Sequence, residues 1–245
     1  MLRFKLFIVF TFLLTFAYGQ KEKADSLYIS QHYQEAASLY SELLQSGVNT
    51  DVHYNLANCY FRTNNIPAAV LHYERALKLD PSNEDARYNL ELCRAKTGTS
   101  EVYGEEMFFS TLFRRWALSK SANQWLPWCY ILVGTLLLCW LLFSVTNNVA
   151  RRKIIFVLGV LSFIAVVVVN VFAYKSKQAF LATDRVVVMK ATPVYEGPTL
   201  QAKSFGELVP GATYRTDITQ GEDWVRICLE DGTVGWCESA CLEVI

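Results

Sequence analysis

The sequence predicts a multidomain membrane protein in three parts: an α-helical solenoid of short repeats, a transmembrane helical hairpin and a C-terminal all-β barrel. Three observations predict it. Small and aromatic residues recur after thirty-three positions near the N-terminus, the spacing of a stacked two-helix unit. Two apolar runs follow, separated by Arg151-Arg152-Lys153, and each is long enough to cross a bilayer once. The last sixty residues change to two-residue alternation broken by turn dipeptides.

Composition agrees. Of 245 residues 52% are hydrophobic, and with the positive mean hydropathy of +0.18 this is too much for a purely water-soluble chain. Membrane lipid is therefore an expected partner. The 23 basic and 23 acidic side chains cancel, so no basic footprint for a phosphate backbone exists and nucleic acid is not an expected partner.

Residues 1–19 carry Arg3 and Lys5, an uncharged run from Leu6 to Phe16, and Ala17-Tyr18-Gly19 before Gln20. A basic start, an apolar stretch too short to span and a small-x-small site read as a secretory signal peptide. The repeats follow at 20–97. Ala24 and Ala36 are matched by Ala57 and Ala69, and the second copy adds Leu56, Tyr60, Tyr73, Ala76 and Pro81 in register. Small residues let two helices approach closely, aromatics fill the gap and proline stops the second helix. The first copy has Leu27, Tyr33, Ala36 and Tyr40, with its turn at Gly47. Tyr88-Asn89-Leu90 repeats Tyr54-Asn55-Leu56 and is expected on a lone capping helix that covers the last repeat. On these residues the segment resembles the tetratricopeptide repeat (TPR) family.

That resemblance implies a groove lined by the first helix of each unit. It places Tyr54, Asn58, Phe61 and Arg62 there, continued by Tyr88 and Lys96. An amide, a guanidinium and aromatic rings can hold an extended peptide. The family's carboxylate clamp is not complete, because Leu92 stands where a second asparagine is needed.

Residues 98–123 form a linker in which Met107, Phe108, Phe109, Leu112, Phe113, Trp116 and Leu118 alternate with Arg114, Arg115 and Lys120. That mixture suits an amphipathic helix at headgroup depth. Transmembrane helix 1 is expected at 124–145, with Trp125, Trp128 and Tyr130 at its entrance as an aromatic belt. A cytoplasmic loop at 146–153 and transmembrane helix 2 at 154–174 complete the hairpin. With the signal peptide outward, the solenoid and the barrel fall on the periplasmic side of a bacterial inner membrane.

In the last part, Arg185 to Met189, Thr213 to Ile218, Trp224 to Leu229 and Val234 to Cys237 read as strands, with turns at Pro210-Gly211 and Asp231-Gly232. The order Pro193-Val194-Tyr195, Phe205, Leu208, Gly211, Trp224-Val225-Arg226-Ile227, Asp231-Gly232, Gly235-Trp236 resembles a bacterial SH3 (SH3b) domain over 186–245. Tyr195 and Trp236 are its groove candidates, for a peptide or a glycan.

Cys59 and Cys93 occupy equivalent packing positions, and Cys129 and Cys139 lie in an apolar span. An exported location would permit one disulfide among Cys228, Cys237 and Cys241, whose pairing the spacing leaves open. His32, His53 and His72 stand apart from any CxxC, so no metal ligand set is expected. The histidines also lie in the repeats, away from Cys237 and Cys241, so no catalytic group is assigned, no cofactor is expected and the chain reads as a non-enzyme.

The order of parts, from signal peptide through TPR and two spans to SH3b, resembles the BatE-type proteins of Bacteroides aerotolerance (Bat) operons. The resemblance implies an adaptor working with von Willebrand A-domain membrane proteins and a MoxR-type AAA+ ATPase. The alternative is a peptidoglycan-binding anchor, with SH3b on the wall and TPR recruiting a wall enzyme.

Overall fold

The structure, a computed structural model, describes residues 19–47, 49–99, 108–216, 223–229 and 232–245. The expected signal peptide apart from Gly19, residues 100–107 of the expected linker, Ile218 and Asp231 lie outside them. Two compact units emerge: one joins the repeat helices to the C-terminal sheet, the other holds the two long apolar helices and the short helix before them.

In the first unit α1 is helical over residues 19–29, followed by α2 (Tyr33–Ser46), α3 (Thr50–Arg62), α4 (Ile66–Leu79) and α5 (Glu84–Thr97). The two copies repeat down to their turns. Gln31 and Asn64, thirty-three positions apart, both adopt the left-handed region at φ 64° and 61°. His32 N–H donates to Leu27 O and Asn65 N–H to Tyr60 O, each at 2.9 Å. Ala24, Ala36, Ala57 and Ala69 have no exposed surface, so their helices approach closely and leave room for the buried rings of Tyr40 and Tyr73. Asn49 and Asn83 cap α3 and α5 by accepting from Asp51 N–H and Ala86 N–H.

Helix α5 was expected to stand as an outer cap. Its Ala86, Leu90 and Cys93 do pack into the repeat core, but Val187 of the sheet belongs to that same core, with Met189 and Ile245 packed against it. Glu74 of α4 is almost fully buried and takes Arg94 of α5 at 2.6 Å and Arg185 of the sheet at 3.0 Å. Arg75 reaches Glu243 at 3.0 Å and the Val244 carbonyl at 2.6 Å, and Lys78 donates to the Ile245 carbonyl at 2.8 Å. The expected separate domains 20–97 and 186–245 thus share one core. The sheet covers the apolar side of the last repeat, where a further helix would otherwise be needed.

The sheet has seven antiparallel strands: β1 (Arg185–Val188), β2 (Thr192–Tyr195), β3 (Ser204–Leu208), β4 (Thr213–Thr216), β5 (Trp224–Cys228), β6 (Val234–Glu238) and β7 (Leu242–Val244), in the order β3-β2-β6-β5-β4-β1-β7. The Val186-Val187-Val188 run is explained by burial on both faces: Val186 and Val188 enter the sheet core, and Val187 faces the helices. Gly211, at φ +89°, makes the expected turn and closes on Thr97, where an added Cβ would meet Cγ2 at 3.2 Å. A Cβ at Gly235 would collide with Val194 Cγ1. Strands β2, β3 and β7 were not among the strands read from the sequence; β7 follows a 3₁₀ turn at Ser239–Cys241. Cys228, Cys237 and Cys241 are free thiols, and burial pushes the Cys237 thiol up to about 12.

The second unit contains α6 (Phe108–Ala117), α7 (Ala122–Val145) and α8 (Val149–Leu181). Ser121 and Gln124 start α7 with a reciprocal capping box. Both long helices have the length and composition to cross a membrane. They extend beyond the apolar runs marked in the sequence, and the connection shrinks from 146–153 to 146–148. The reason is Asn148, whose side chain accepts from Ala150 N–H and Arg151 N–H and starts α8 there; Arg151, Arg152 and Lys153 sit on its first turns. Between α7 and α8 runs a narrow polar seam, where Thr135 and Ser162 hydroxyls meet at 2.8 Å and Asn170 donates to Cys129 Sγ at 3.4 Å.

Candidate functional site

The first helices of the units stand side by side, and a repeated hydrogen-bond relay holds them there. Asp25 of α1 accepts from Tyr40 OH and, at 3.3 Å, from Asn55 Nδ2 of α3. One repeat later Asn58 Oδ1 of α3 accepts from Tyr73 OH at 2.5 Å and from Asn89 Nδ2 of α5 at 3.1 Å. In each relay the tyrosine of a second helix locks one first helix, and the asparagine of the next repeat reads the same oxygen. Burial is the main cause that pushes both tyrosine hydroxyls well above their ordinary range, so they act as donors throughout.

Asn58, taken from the sequence as a groove residue, therefore has its carbonyl oxygen engaged twice inside the fold. It spaces the helices. Tyr54 is half-buried, with its ring 6.1 Å from that of Tyr73. Phe61 and Lys96 come together, the ammonium 4.2 Å from the ring centroid. Arg62 is exposed, and a hydrogen bond with Tyr28 is the leading cause that holds its pKa above the ordinary value. Tyr88 is 64% exposed on α5. The face thus presents Arg62, the Phe61–Lys96 pair and Tyr88. At the position after Asp25 and Asn58 stands Leu92, 38% exposed, so the relay ends at α5.

Asn55 and Asn89 were marked in the sequence only as part of a repeated tripeptide, and Asp25 was not marked. The signal that finds them is the recurrence of a polar residue at 25 and 58, of tyrosine at 40 and 73 and of asparagine at 55 and 89. His53 and His72 were read from the sequence only as standing apart from any CxxC. The structure sets their Nδ1 atoms 3.0 Å apart between α3 and α4, with Tyr60 stacked on His72. Burial holds both imidazoles below the ordinary histidine range, helped at His53 by the Arg75 charge and at His72 by His53 and then Arg75. Among the described residues no group of three or more His, Cys, Asp or Glu could hold a metal ion.

A second concavity lies on the sheet. It is a crevice of about 460 Å³ lined by Pro198, Leu200, Asp223, Trp224, Glu238 and Ala240 among others. Tyr195 meets Trp224 edge to face at 5.5 Å. Trp236 pairs opposite Tyr195 in the sheet but does not line the crevice, whose indole is that of Trp224.

A comparison with curated proteins finds no match. The tetratricopeptide-repeat family model matches residues 50–83, which comprise α3, α4 and the turn to α5 and include Phe61 and Arg62 of the exposed face, with Tyr88 and Lys96 beyond them on α5.

Proposed function

We propose that this chain is a non-enzymatic, membrane-anchored adaptor. The repeat face of α3 and α5 holds a protein partner, α7 and α8 span the bacterial inner membrane, and the sheet closes as an SH3b-type barrel on the periplasmic side. The observation that carries the reading is the matched repeat at 50–83, with Arg62, Lys96 and Tyr88 exposed and Phe61 half-buried beneath the Lys96 ammonium, in a chain with two helices long and apolar enough to cross a membrane. Aromatic faces and cations beside ordered helices suit an extended peptide. The order of parts supports a place beside von Willebrand A-domain proteins and a MoxR-type ATPase in a Bat-type envelope complex.

The test is crosslinking and affinity capture of the tagged full chain from intact membranes, beside an Arg62→Glu, Tyr88→Ala variant. Both positions are exposed, so expression stays normal. Specific membrane proteins should disappear from the variant's capture; identical captures would refute the groove as the adaptor surface.

The sheet crevice favours a second reading, a wall anchor. Trp224 between Asp223 and Glu238 offers an apolar face flanked by carboxylates, which suits an amine-bearing muropeptide. Calorimetric titration of the full chain with muropeptides separates the two: heat that Trp224→Ala abolishes would favour the anchor.

A further inference from the structure

Asn170 is a polar residue in an apolar run. It lies five residues before Lys175 on α8, which puts it roughly 7 Å inside the charged end of the helix, where hydrocarbon offers an amide no hydrogen-bond partner. The nitrogen of its carboxamide is served within the hairpin: Nδ2 donates to the Val166 carbonyl at 2.8 Å and to Cys129 Sγ of α7 at 3.4 Å. The side chain is exposed, and among the described residues no donor reaches its Oδ1. Tyr174 is the reverse case. Its hydroxyl oxygen accepts from Gln178 Nε2 at 2.9 Å, and its proton has no acceptor among the described residues.

The two sit one turn apart on a stripe. Val160, Phe163, Val167, Asn170 and Tyr174 follow the three-four spacing of a heptad seam, and all five are exposed. The adjacent face of α8 is the one that meets α7: an added Cβ at Gly159 would meet Cys139 Cβ at 3.7 Å, and Ser162 meets Thr135. Helix α8 thus has one seam in use and a second open. Copies of one chain insert in the same direction, so their α8 helices run parallel, and a two-fold axis along the membrane normal sets the stripe against itself. Residue 170 then faces 167, 170 and 174 of the second copy. An acceptor that lacks a donor and a donor that lacks an acceptor meet twice, once on each side of the axis.

We infer that the chain pairs in the membrane with a second copy of itself through this stripe of α8, with Asn170 and Tyr174 exchanging hydrogen bonds across the interface. The inference rests on the membrane-spanning reading of α7 and α8. Apolar contact alone does not select protein over lipid, whose chains are as apolar as valine or phenylalanine. The open amide oxygen and hydroxyl do select it, because at that depth only protein can satisfy them. A helix of another protein would have to bring a matching donor and acceptor at one-turn spacing, which a second copy supplies by symmetry. Lys177, the next position of the seam, lies beyond the apolar run, where its ammonium reaches water and the like charges of two copies are screened.

The test uses the purified full chain in phosphatidylcholine vesicles, with a photoreactive benzophenone amino acid replacing Phe163, Val167, Leu161 or Val168 in turn. Illumination should give a covalent dimer from positions 163 and 167, and lipid adducts alone from 161 and 168, which lie on other faces of α8. Asn170→Leu should cut the dimer yield at least about threefold, and Tyr174→Phe should lower it as well, while lipid adducts at 161 stay unchanged as the sign that the hairpin is still inserted. Cys129→Ala, which removes only a partner of the amide within the hairpin, should leave the dimer yield as it is. Lipid adducts alone at all four positions, dimers in equal yield from all four, an unchanged yield in Asn170→Leu, or an equal loss in Asn170→Leu and Cys129→Ala overturns the pairing and leaves the membrane reading standing. Absence of lipid adducts at every position removes the membrane reading and the pairing with it.

Discussion

Two antiparallel helix pairs in this chain, α3 with α4 and α7 with α8, share a local architecture and place their apolar residues in opposite directions. In the first pair Leu56, Ala57, Ala69 and Tyr73 are buried between the helices, and solvent meets Arg62, Asn64 and Asn65. In the second, Leu137, Trp140 and Ile154 are 61%, 70% and 61% exposed, while Thr135, Ser162, Cys129 and Asn170 turn toward the partner helix. Water expels apolar surface from outside to inside, whereas lipid accepts it and leaves small and polar side chains as the adhesive between helices. A helix pair therefore reports its solvent by which side its polar atoms occupy.

The largest effect that breaks this contrast is expected from Tyr73→Ala. It empties a fully buried ring site and removes the donor that Asn58 shares with Asn89, so the first unit should lose about 4 kcal/mol in a denaturant titration. Next is Leu137→Arg, a charge on an outward position of α7. It should lower membrane insertion by about 3 kcal/mol in a translocation assay, with little effect on a soluble-type helix surface; unchanged insertion would mean that α7 does not face lipid.

A third measurement uses the only pair of the two that carries facing imidazoles. His53 and His72 have folded-state pKa values below the ordinary one, so the unfolded chain binds more protons once pH falls below about 6.5. Stability of the first unit should be flat above that pH and fall below it, on the order of 2 kcal/mol by about pH 5. His72→Gln should reduce the fall to the part that buried His53 contributes, and a wild-type curve independent of pH would show that the pair is not buried neutral. The smallest effect belongs to the polar seam: Ser162→Ala should weaken the α7–α8 pair by about 0.6 kcal/mol in a steric-trapping measurement.

The repeat was legible because its small and aromatic residues recur at a fixed spacing, and the apolar spans because length and hydropathy are local properties. Strands β1, β4, β5 and β6 were legible from alternation; Pro193-Val194-Tyr195 of β2 and Phe205 and Leu208 of β3 were marked only through the SH3b resemblance, and β7, whose three residues follow a 3₁₀ turn, carries no pattern long enough to read. Of the groove candidates, Arg62, Phe61, Lys96 and Tyr88 are on the exposed face. Asn58 is engaged internally, because its fate depends on Tyr73 and Asn89, fifteen and thirty-one positions away.

What the sequence determined by itself is the set of parts: repeat helices, two apolar helices and an alternating C-terminal segment. Each is encoded by periodicity within one element or by the identity of neighbouring residues. Only the tertiary structure decided that the sheet and the last repeat share a core through Val187 and the Glu74–Arg94–Arg185 cluster. That outcome depends on pairs separated by as many as 169 positions. A buried carboxylate selects its partners by proximity in space, on which residue spacing along the chain is silent.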